Sequence, residues 1–436
     1  MTYQEAVQYL NSLINYEKKD RYDYNKSFDL GRMRRLAHIL GDPQKDIKSI
    51  HIAGTKGKGS TSAITHSILK SAGYRTGLYT SPHLVSFRER IKINDSMISE
   101  EDVARLLGVV RAAVDNMKDE PPSFFEVYTA IAYLYFKETR ADFVVYEVGL
   151  GGRLDATNLL EPLVCAITPI SYDHTDLLGA TLARIAAEKG GIIKEGGICV
   201  SVGQEEEALG VIKNICKIKD AKLILVGKDI SFEELSADDT GTRFSVKGSF
   251  DEYRNLETGL LGPHQVVNAA TAIGIIESLR YCGIVVSGDA IRNGIKLVKW
   301  PGRLEVVSRG PLMVLDGAQN KASAHALVEA VKKIFKYKKL ILVLGISKDK
   351  DIRGILDELL PIADSVILTK SNVVGRAAEP SRIKELMAIS AKDAAMTQTV
   401  SEAVEKAASM AASEDLILIT GSLFVVGEAK ACVEKI

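Results

Sequence analysis

Cysteine is scarce in this sequence. The five residues, Cys165, Cys199, Cys216, Cys282 and Cys432, are scattered, odd in number and never spaced Cys-x-x-Cys. That pattern argues against a disulfide framework or a thiolate metal site and predicts small buried side chains in a reducing cytosol. Net charge is missing too, because 56 Lys and Arg residues balance 56 Asp and Glu. A chain without basic excess carries no nucleic-acid surface spread over it, although a local basic pocket stays open. Long hydrophobic runs are also lacking. The most apolar stretches, Leu340–Ile346 and Leu416–Val426, are too short or too interrupted for the ~20 residues of a spanning helix. Glu5 comes early and no basic-then-apolar leader is seen, so the expectation is a cytoplasmic protein with no membrane partner.

What is present suits packed cores: 46% apolar and 26% charged residues in 436, a length that calls for more than one domain. Thr2-x-x-Glu5 reads as a capping box opening a helix with Val7, Leu10 and Ile14 on one face. A helix near Met33–Leu40 is stopped by Gly41-Asp42-Pro43. Strand Ser49–Ala53, a glycine-rich turn, a helix over 60–71 and strand Arg75–Thr80 then form the signature of a parallel α/β sheet. Helices over Glu100–Asn116 and Glu126–Thr139 follow, with strands Phe143–Val148 and Leu163–Thr168 that are apolar throughout, as when helices cover both faces. Residues 222–260 read as an antiparallel addition of short strands, and a helix runs from Val266 to Tyr281.

Lys299-Trp300-Pro301-Gly302-Arg303 interrupts this rhythm, and a second alternation begins beyond it. Its strands are Leu312–Asp316, Leu340–Gly345, Ser365–Thr369 and Leu416–Thr420. Its helices are Ser323–Phe335, Ile352–Leu359, Pro380–Met387 and Val400–Ala412. The predicted fold is α/β: a mostly parallel sheet domain over 1–299, a hinge near 299–303, and a smaller Rossmann-like α/β domain over 300–436.

The segment Ile52-Ala53-Gly54-Thr55-Lys56-Gly57-Lys58-Gly59-Ser60-Thr61 carries the most chemistry. Three glycines between a strand and a helix let the backbone curl its amides around an anion. The helix dipole adds to this, Lys58 offers a point charge for β- and γ-phosphates, and Ser60 or Thr61 could face Mg²⁺. The strict phosphate-loop pattern has Ser or Thr directly after Gly-Lys, whereas Gly59 intervenes here. A tight glycine turn with an exposed lysine is the plainer alternative.

At this loop the chain resembles the folylpolyglutamate synthase/dihydrofolate synthase family, the folate branch of the Mur ligases, whose loop has the extra glycine. Most members have Asn where Lys56 stands. The resemblance continues through Tyr79-Thr80-Ser81-Pro82-His83-Leu84, Phe124-Phe125-Glu126, Glu147 to Asn158, Asp173-His174 and Glu188 to Lys194. It ends with His264-Gln265-Val266-Val267-Asn268 and Trp300 to Glu305. Each piece is weak alone; their order is specific.

The resemblance implies an ATP-dependent amide ligase with a P-loop-type ATPase domain over 1–299, which makes an acyl phosphate that an amine displaces. It implies catalytic roles for Lys58, Lys189 and His174, with Lys189 carbamylated to N6-carboxylysine, a change that turns a metal-repelling cation into an anion. It implies ATP binding by Gly54, Thr55, Gly57, Lys58, Gly59, Ser60, Thr61, Asn268, Arg303 and Asp316. Mg²⁺, as two ions, is assigned to Ser81, Glu147 and His174, and the family also admits a monovalent cation. The pteroate portion is assigned to Asp29, Leu30, Gly31, Phe124, Phe125, Glu126, Leu154, Asp155 and Ala156. Implied partners are folate or dihydropteroate, L-glutamate and ATP, acting on a monomer.

Each assignment has a plainer rival. Glu147 could pair with Arg153, His174 could satisfy a backbone carbonyl, and Lys189 could be a surface lysine paired with Glu188. Asn268 could simply start a helix, Arg303 could form a surface ion pair, Asp316 could cap a helix, and Phe124 and Phe125 could be core. Asp349-Lys350-Asp351 could meet glutamate or be a solvated loop. The clearest departure is Asp316-Gly317-Ala318-Gln319-Asn320-Lys321, where most members read Asp-Gly-Ala-His-Asn-Pro. Gln319 cannot carry charge or relay a proton near neutral pH. Two other functions therefore stay open: a Mur-type ligase for another carboxylate, and a nucleotide-binding protein that has lost ligation.

Overall fold

Every residue of strand β1 (Ser49–Ala53) is buried, as expected for an apolar run with parallel partners on both sides. The computed structural model describes residues 1–17, 24–117, 119–373, 375–387 and 393–433. The sheet around β1 also contains β2 (Thr76–Tyr79), β3 (Ile91–Ile93), β4 (Ser96–Met97), β5 (Phe143–Glu147), β6 (Val164–Ile167), β7 (Ile198–Val202) and β8 (Lys222–Val226). Their order is β4-β3-β2-β5-β1-β6-β7-β8. Only β3 runs against the other strands, antiparallel to both β2 and β4. The chain leaves β1 towards β2 on one side, while β6 lies on the other, so the sheet reverses direction next to β1. A crevice at the carboxyl ends of β1, β5 and β6 follows from that topology.

Helices cover both faces. Ile64 and Ile68 of helix Lys58–Ser71 join Ala269, Ile273 and Ile276 of helix Pro263–Ser278 over Ile50, Ile52 and Val145. The opposite face packs Tyr128, Ile131 and Phe136 of helix Phe124–Glu138 against Tyr79, Val144 and Tyr146. An antiparallel sheet, β9 (Ser231–Asp238), β10 (Gly241–Lys247) and β11 (Glu252–Thr258), lends Phe244, Val246 and Leu256 to the first core. Buried Glu277 holds its tip, accepting from Ser249 N, Asp251 N and the Tyr253 hydroxyl at 2.6–3.0 Å.

Beyond Trp300 lies a second sheet: β12 (Glu305–Arg309), β13 (Leu312–Leu315), β14 (Leu340–Leu344), β15 (Ser365–Leu368), β16 (Ala394–Met396) and β17 (Leu416–Thr420). Its order is β12-β13-β17-β14-β15-β16, antiparallel only at β12. Alternate residues of β14 face two cores, Leu342 and Leu344 on one side, Ile341 and Val343 on the other.

The α/β class and the parallel sheets agree with the expectation; several details differ. Helix Tyr3–Ser12 has its capping box but buries Ala6 and Leu10, not Val7 or Ile14. Leu13 turns extended, so Ile14 lies past the helix and is 45% exposed. Lys222–Val226 pairs with β7 in the parallel sheet instead of joining the antiparallel addition, a choice of partner that short-range pattern does not carry. Helices Leu182–Gly190, Glu206–Ile218, Gly288–Leu297 and Leu423–Val433 were not anticipated. Three cysteines are buried as expected, but Cys282 is exposed and Cys432 partly so. Among the described residues no helix is long and apolar enough to cross a membrane.

Candidate active site

Where β1 ends, Gly54 has φ of +145°, and a Cβ there would lie 1.8 Å from the Thr168 hydroxyl oxygen. Only glycine passes this point. The amides of Thr55 and Lys56 both donate to the Pro169 carbonyl, at 2.9 and 3.2 Å, tying the loop to the end of β6. Gly57 (φ +81°) then opens helix Lys58–Ser71, and no side chain caps it. The first amides of that helix are thus left for an external anion. A Cβ on Gly57 would meet Asn268 Oδ1 at 2.4 Å. Ser60 and Thr61 are buried in the first turn, and Asn268 is held by a hydrogen bond from its Nδ2 to Gln265 Oε1 at 2.9 Å.

Glu147 ends β5 directly beside this loop, in register with Ile52 of β1. Its buried carboxylate accepts from Ser81 N at 3.2 Å. Burial raises its pKa, and the charges of Lys58 and, more weakly, Arg303 pull it back. Lys58 and Glu147 therefore share one electrostatic centre. Arg153 is engaged elsewhere, bound to Glu188 at 2.8 Å.

Lys189, on helix Leu182–Gly190, is 4% exposed and donates from Nζ to the Gly54 carbonyl at 2.8 Å. Burial first, and Lys58 second, lower its pKa to about 7, so a free amine is abundant near neutral pH. His174 follows Asp173 in a left-handed conformation, φ +49°. Burial, with help from Lys350, Lys189 and Lys58, holds its imidazole below the usual range despite Asp173. A neutral ring keeps a lone pair for a ligand.

The second sheet closes the cleft. Lys350 Nζ lies 3.9 Å from Asp173 Oδ1 and 3.7 Å from Asp349 Oδ2, and Arg376 Nη2 is 3.6 Å from the same Asp349 oxygen. Gln319, Asp349, Lys350, Arg376 and Phe424 form this wall; Gly54, Thr55, Lys58, Ser81, Asp155, Asp173, His174 and Lys189 face it. Phe28, Phe125, Val148, Leu150, Leu177 and Leu178 make one apolar end. The cleft is lined from both sheets and opens to solvent.

Of the expected site residues, Gly54, Thr55, Lys58, Ser81, Phe125, Asp155, His174 and Lys189 line this cleft. Arg303 and Asp316 stand at the connection between the sheets. Arg303 Nη1 donates to the Gly302 carbonyl at 3.0 Å, and buried Asp316 accepts from Leu304 N and Ala318 N at 2.9 and 2.8 Å. Apart from Phe125 and Asp155, the pteroate set does not line this cleft. Asp29 caps helix Leu30–Ile39 by accepting from Gly31 N at 2.8 Å, and Leu30 and Gly31 form its first turn. Phe124 is 1% exposed and stacks on Tyr128 at 5.7 Å. Glu126 takes Arg32 Nε and Nη2 at 2.8 Å while its Oε2 also receives the Ser123 amide. Ala156 is core, Leu154 is half-buried, and Asp155 accepts from the amides of Gly149, Leu150 and Thr157.

Residues the sequence reading missed are Tyr16, Glu17, Phe28, Arg376 and Phe424. Glu17 is held by Arg90, a 1% exposed guanidinium that donates to both its oxygens at 2.8 and 2.6 Å and, from Nε, to His83 Nδ1. A charged residue at the head of strand β3 was the only hint; its partner lies 73 positions away.

Comparison with known proteins decides the family. The Mur ligase middle domain matches residues 52–276, and the Mur ligase, glutamate ligase domain matches residues 302–423. A dihydrofolate synthase/folylpolyglutamate synthase of Bacillus subtilis (strain 168) is 36% identical over 434 residues, 98% of each chain. The chain belongs to the dihydrofolate synthase/folylpolyglutamate synthase family. As a member of this Mur-ligase family it is an ATP-dependent ligase. A Mycobacterium tuberculosis folylpolyglutamate synthase complexed with ADP superposes with TM-score 0.90 at 32% identity, covering 99% of this chain and 98% of that one. E. coli FolC in complex with DHPP and ADP gives TM-score 0.88 at 30% identity over 100% and 98%.

The donors beside the loop suit a hard divalent cation. Glu147 accepts one hydrogen bond, from Ser81 N, and has acceptor capacity left, Ser81 adds a hydroxyl, and burial favours a neutral His174 imidazole.

Proposed function

We propose that this ligase adds L-glutamate to the γ-carboxylate of (tetrahydro)folate polyglutamates through an acyl phosphate, and also to dihydropteroate. The single observation that carries the reading is a cleft in which Lys58 of the phosphate loop and buried Lys189 face Lys350 and Arg376 of the second sheet, with Glu147 at the neighbouring strand end. The phosphate loop suits ATP, and the apolar end around Phe28 and Phe125 suits a flat heterocycle. The cationic wall of Lys350 and Arg376 suits the carboxylates of glutamate. The Bacillus subtilis relative, named for both synthase steps, and the DHPP complex of the E. coli protein support the bifunctional form.

In this reading Gly54, Thr55, Gly57, Lys58, Gly59, Ser60, Thr61, Asn268, Arg303 and Asp316 hold ATP. Ser81, Glu147 and His174 hold Mg²⁺, which would neutralise charge on the phosphates. Lys189, as a free amine, takes up CO₂ and becomes the N6-carboxylysine that faces a second ion. The remaining pteroate residues, Asp29, Leu30, Gly31, Phe124, Glu126, Leu154 and Ala156, act by shaping the wall that Phe125 and Asp155 present. We assign domains to 1–299 and 300–436, the boundary lying in the connection where packing passes from the first core at Trp300 to the second at Leu304. Their closure excludes water from the acyl phosphate. The enzyme acts as a cytoplasmic monomer.

The test is ADP release with dihydropteroate, tetrahydrofolate or neither, each with and without glutamate, followed by the product mass. Turnover requiring both a pterin substrate and glutamate, with a gain of one glutamyl unit, is expected. ADP release that no pterin elicits points to another carboxylate, and nucleotide binding without amide formation under any pair points to lost ligation.

A further inference from the structure

Strand β1 alternates its faces. Ile50 and Ile52 enter the first core, so His51 between them points to the opposite side, where it is fully buried. A polar ring at the centre of a buried strand is unfavourable unless it is hydrogen-bonded. Its Nε2 lies 2.7 Å from the Thr157 hydroxyl, and that hydroxyl lies 2.5 Å from Asp155 Oδ1. Oδ1 also accepts from the Thr157 amide at 3.0 Å, and Oδ2 accepts from the amides of Gly149 and Leu150 at 3.0 and 2.9 Å. With donors converging on both oxygens, Asp155 is held as an anion that only accepts. A hydroxyl has a single hydrogen, and Thr157 gives its own to Asp155. The Thr157 oxygen must then accept from His51, which fixes the ring as the Nε2–H tautomer. Nδ1, which has no hydrogen-bond partner among the described residues, carries no proton.

The far end of this chain reaches the cleft. Gly149, Leu150 and Asp155 line it, and a Cβ on Gly149 would come within 2.6 Å of the Phe125 ring. The backbone that Asp155 holds is thus the surface on which Phe125 packs at the apolar end.

We propose that His51 is a positioning residue for the pterin substrate: through Thr157 it sets the Asp155 carboxylate, and through Asp155 the Gly149–Leu150 segment that faces Phe125. This rests on the folate reading above. The links stand in series, so cutting any one of them loosens everything on the cleft side of the cut. The strand that delivers the phosphate loop at its end therefore also braces the apolar end of the cleft from its middle.

The test is ADP release by the full chain with dihydropteroate, glutamate and ATP varied one at a time. His51→Leu removes the donor and keeps the site filled. We expect KM for dihydropteroate to rise about fivefold, the loss of one neutral hydrogen bond, while KM for ATP and kcat change little. His51→Gln, whose amide N–H can replace Nε2–H, should restore most of the difference. Thr157→Val cuts the next link and should raise the same constant at least as far. The double variant should rise no further than Thr157→Val alone, because links in series do not add. Nitrogen NMR of the unaltered enzyme should show the His51 ring protonated at Nε2 and bare at Nδ1. The reverse tautomer overturns the chain whether or not any variant folds. An unmoved KM for dihydropteroate in the single variants, or fully additive rises in the double one, overturns the inference and leaves the folate reading standing. If the unaltered enzyme releases no ADP with any pterin, that reading fails first and this inference falls with it.

Discussion

The ammonium of Lys189 donates to the carbonyl oxygen of Gly54 at 2.8 Å, joining a helix of the first sheet to the residue where its phosphate loop begins. The contact places a lysine of depressed pKa beside a second lysine, Lys58, in a setting that favours the uncharged amine. In the proposed reading this amine takes up CO₂, since an ammonium would repel a metal ion held there.

Lys189→Ala should therefore lower turnover about 100-fold or more, as when one electrostatic group leaves a transition state. Short carboxylic acids such as acetate should restore part of it by standing in for the carbamate. Full activity of the variant without additive would remove the carbamate from the mechanism.

Glu147→Gln keeps the shape and the Ser81 contact but discards the anion. We expect a fall in turnover of about 100-fold and a higher Mg²⁺ concentration for half-maximal rate, with an unchanged thermal midpoint. Unaltered Mg²⁺ dependence would place the cation elsewhere.

Lys350 links the second sheet to Asp173 of the first across the cleft and is only 9% exposed at its side chain. Lys350→Ala should raise KM for glutamate about tenfold through loss of one charged contact, while KM for ATP moves little. Equal rises in both constants would indicate a role in closing the sheets instead.

Gln319 lines the cleft, in place of the histidine that the family resemblance leads one to expect there. Gln319→His should change kcat if the position still takes part in the reaction, and the pH profile should gain a limb near the histidine range. An identical rate and profile would take the position out of the mechanism.

His51 is 0% exposed, with Nε2 2.7 Å from the Thr157 hydroxyl. Burial, its largest influence, lowers its pKa from 6.5 to about 3. The folded imidazole thus stays neutral while the unfolded one gains a proton below pH 6.5. Stability is therefore complete above that pH and declines as pH falls towards 3, by about 2 kcal/mol at pH 5 from this residue. His66, lowered to about 4, adds to the same slope. Urea midpoints at neutral pH and at pH 5 should diverge less in His51→Gln, and equal divergence would show that this ring does not set the slope.

Legibility in the sequence followed the range of the forces involved. The phosphate loop could be read because glycine conformations, a helix start and a lysine are local, and the structure adds only that Thr168, Asn268 and Trp300 are what forbid side chains at Gly54, Gly57 and Gly59. Glu147 could be read as a strand end for the same reason. Glu126 and Asp155 show the limit: their chemistry suits a pterin, yet Glu126 is engaged by Arg32 and Asp155 by backbone amides of its own loop.

By itself the sequence determined the α/β class, the anion loop, the strand-end carboxylate and the break at Trp300–Arg303, since each depends on neighbours a few residues apart. Only the tertiary structure decided that Lys189 reaches Gly54, that Arg90 holds Glu17, and that Lys350 and Arg376 face the loop from the other sheet. Those meetings join residues 73 to 135 positions apart within the first unit, and residues of separate sheets across the cleft. They are set by strand order and packing, which no local pattern encodes.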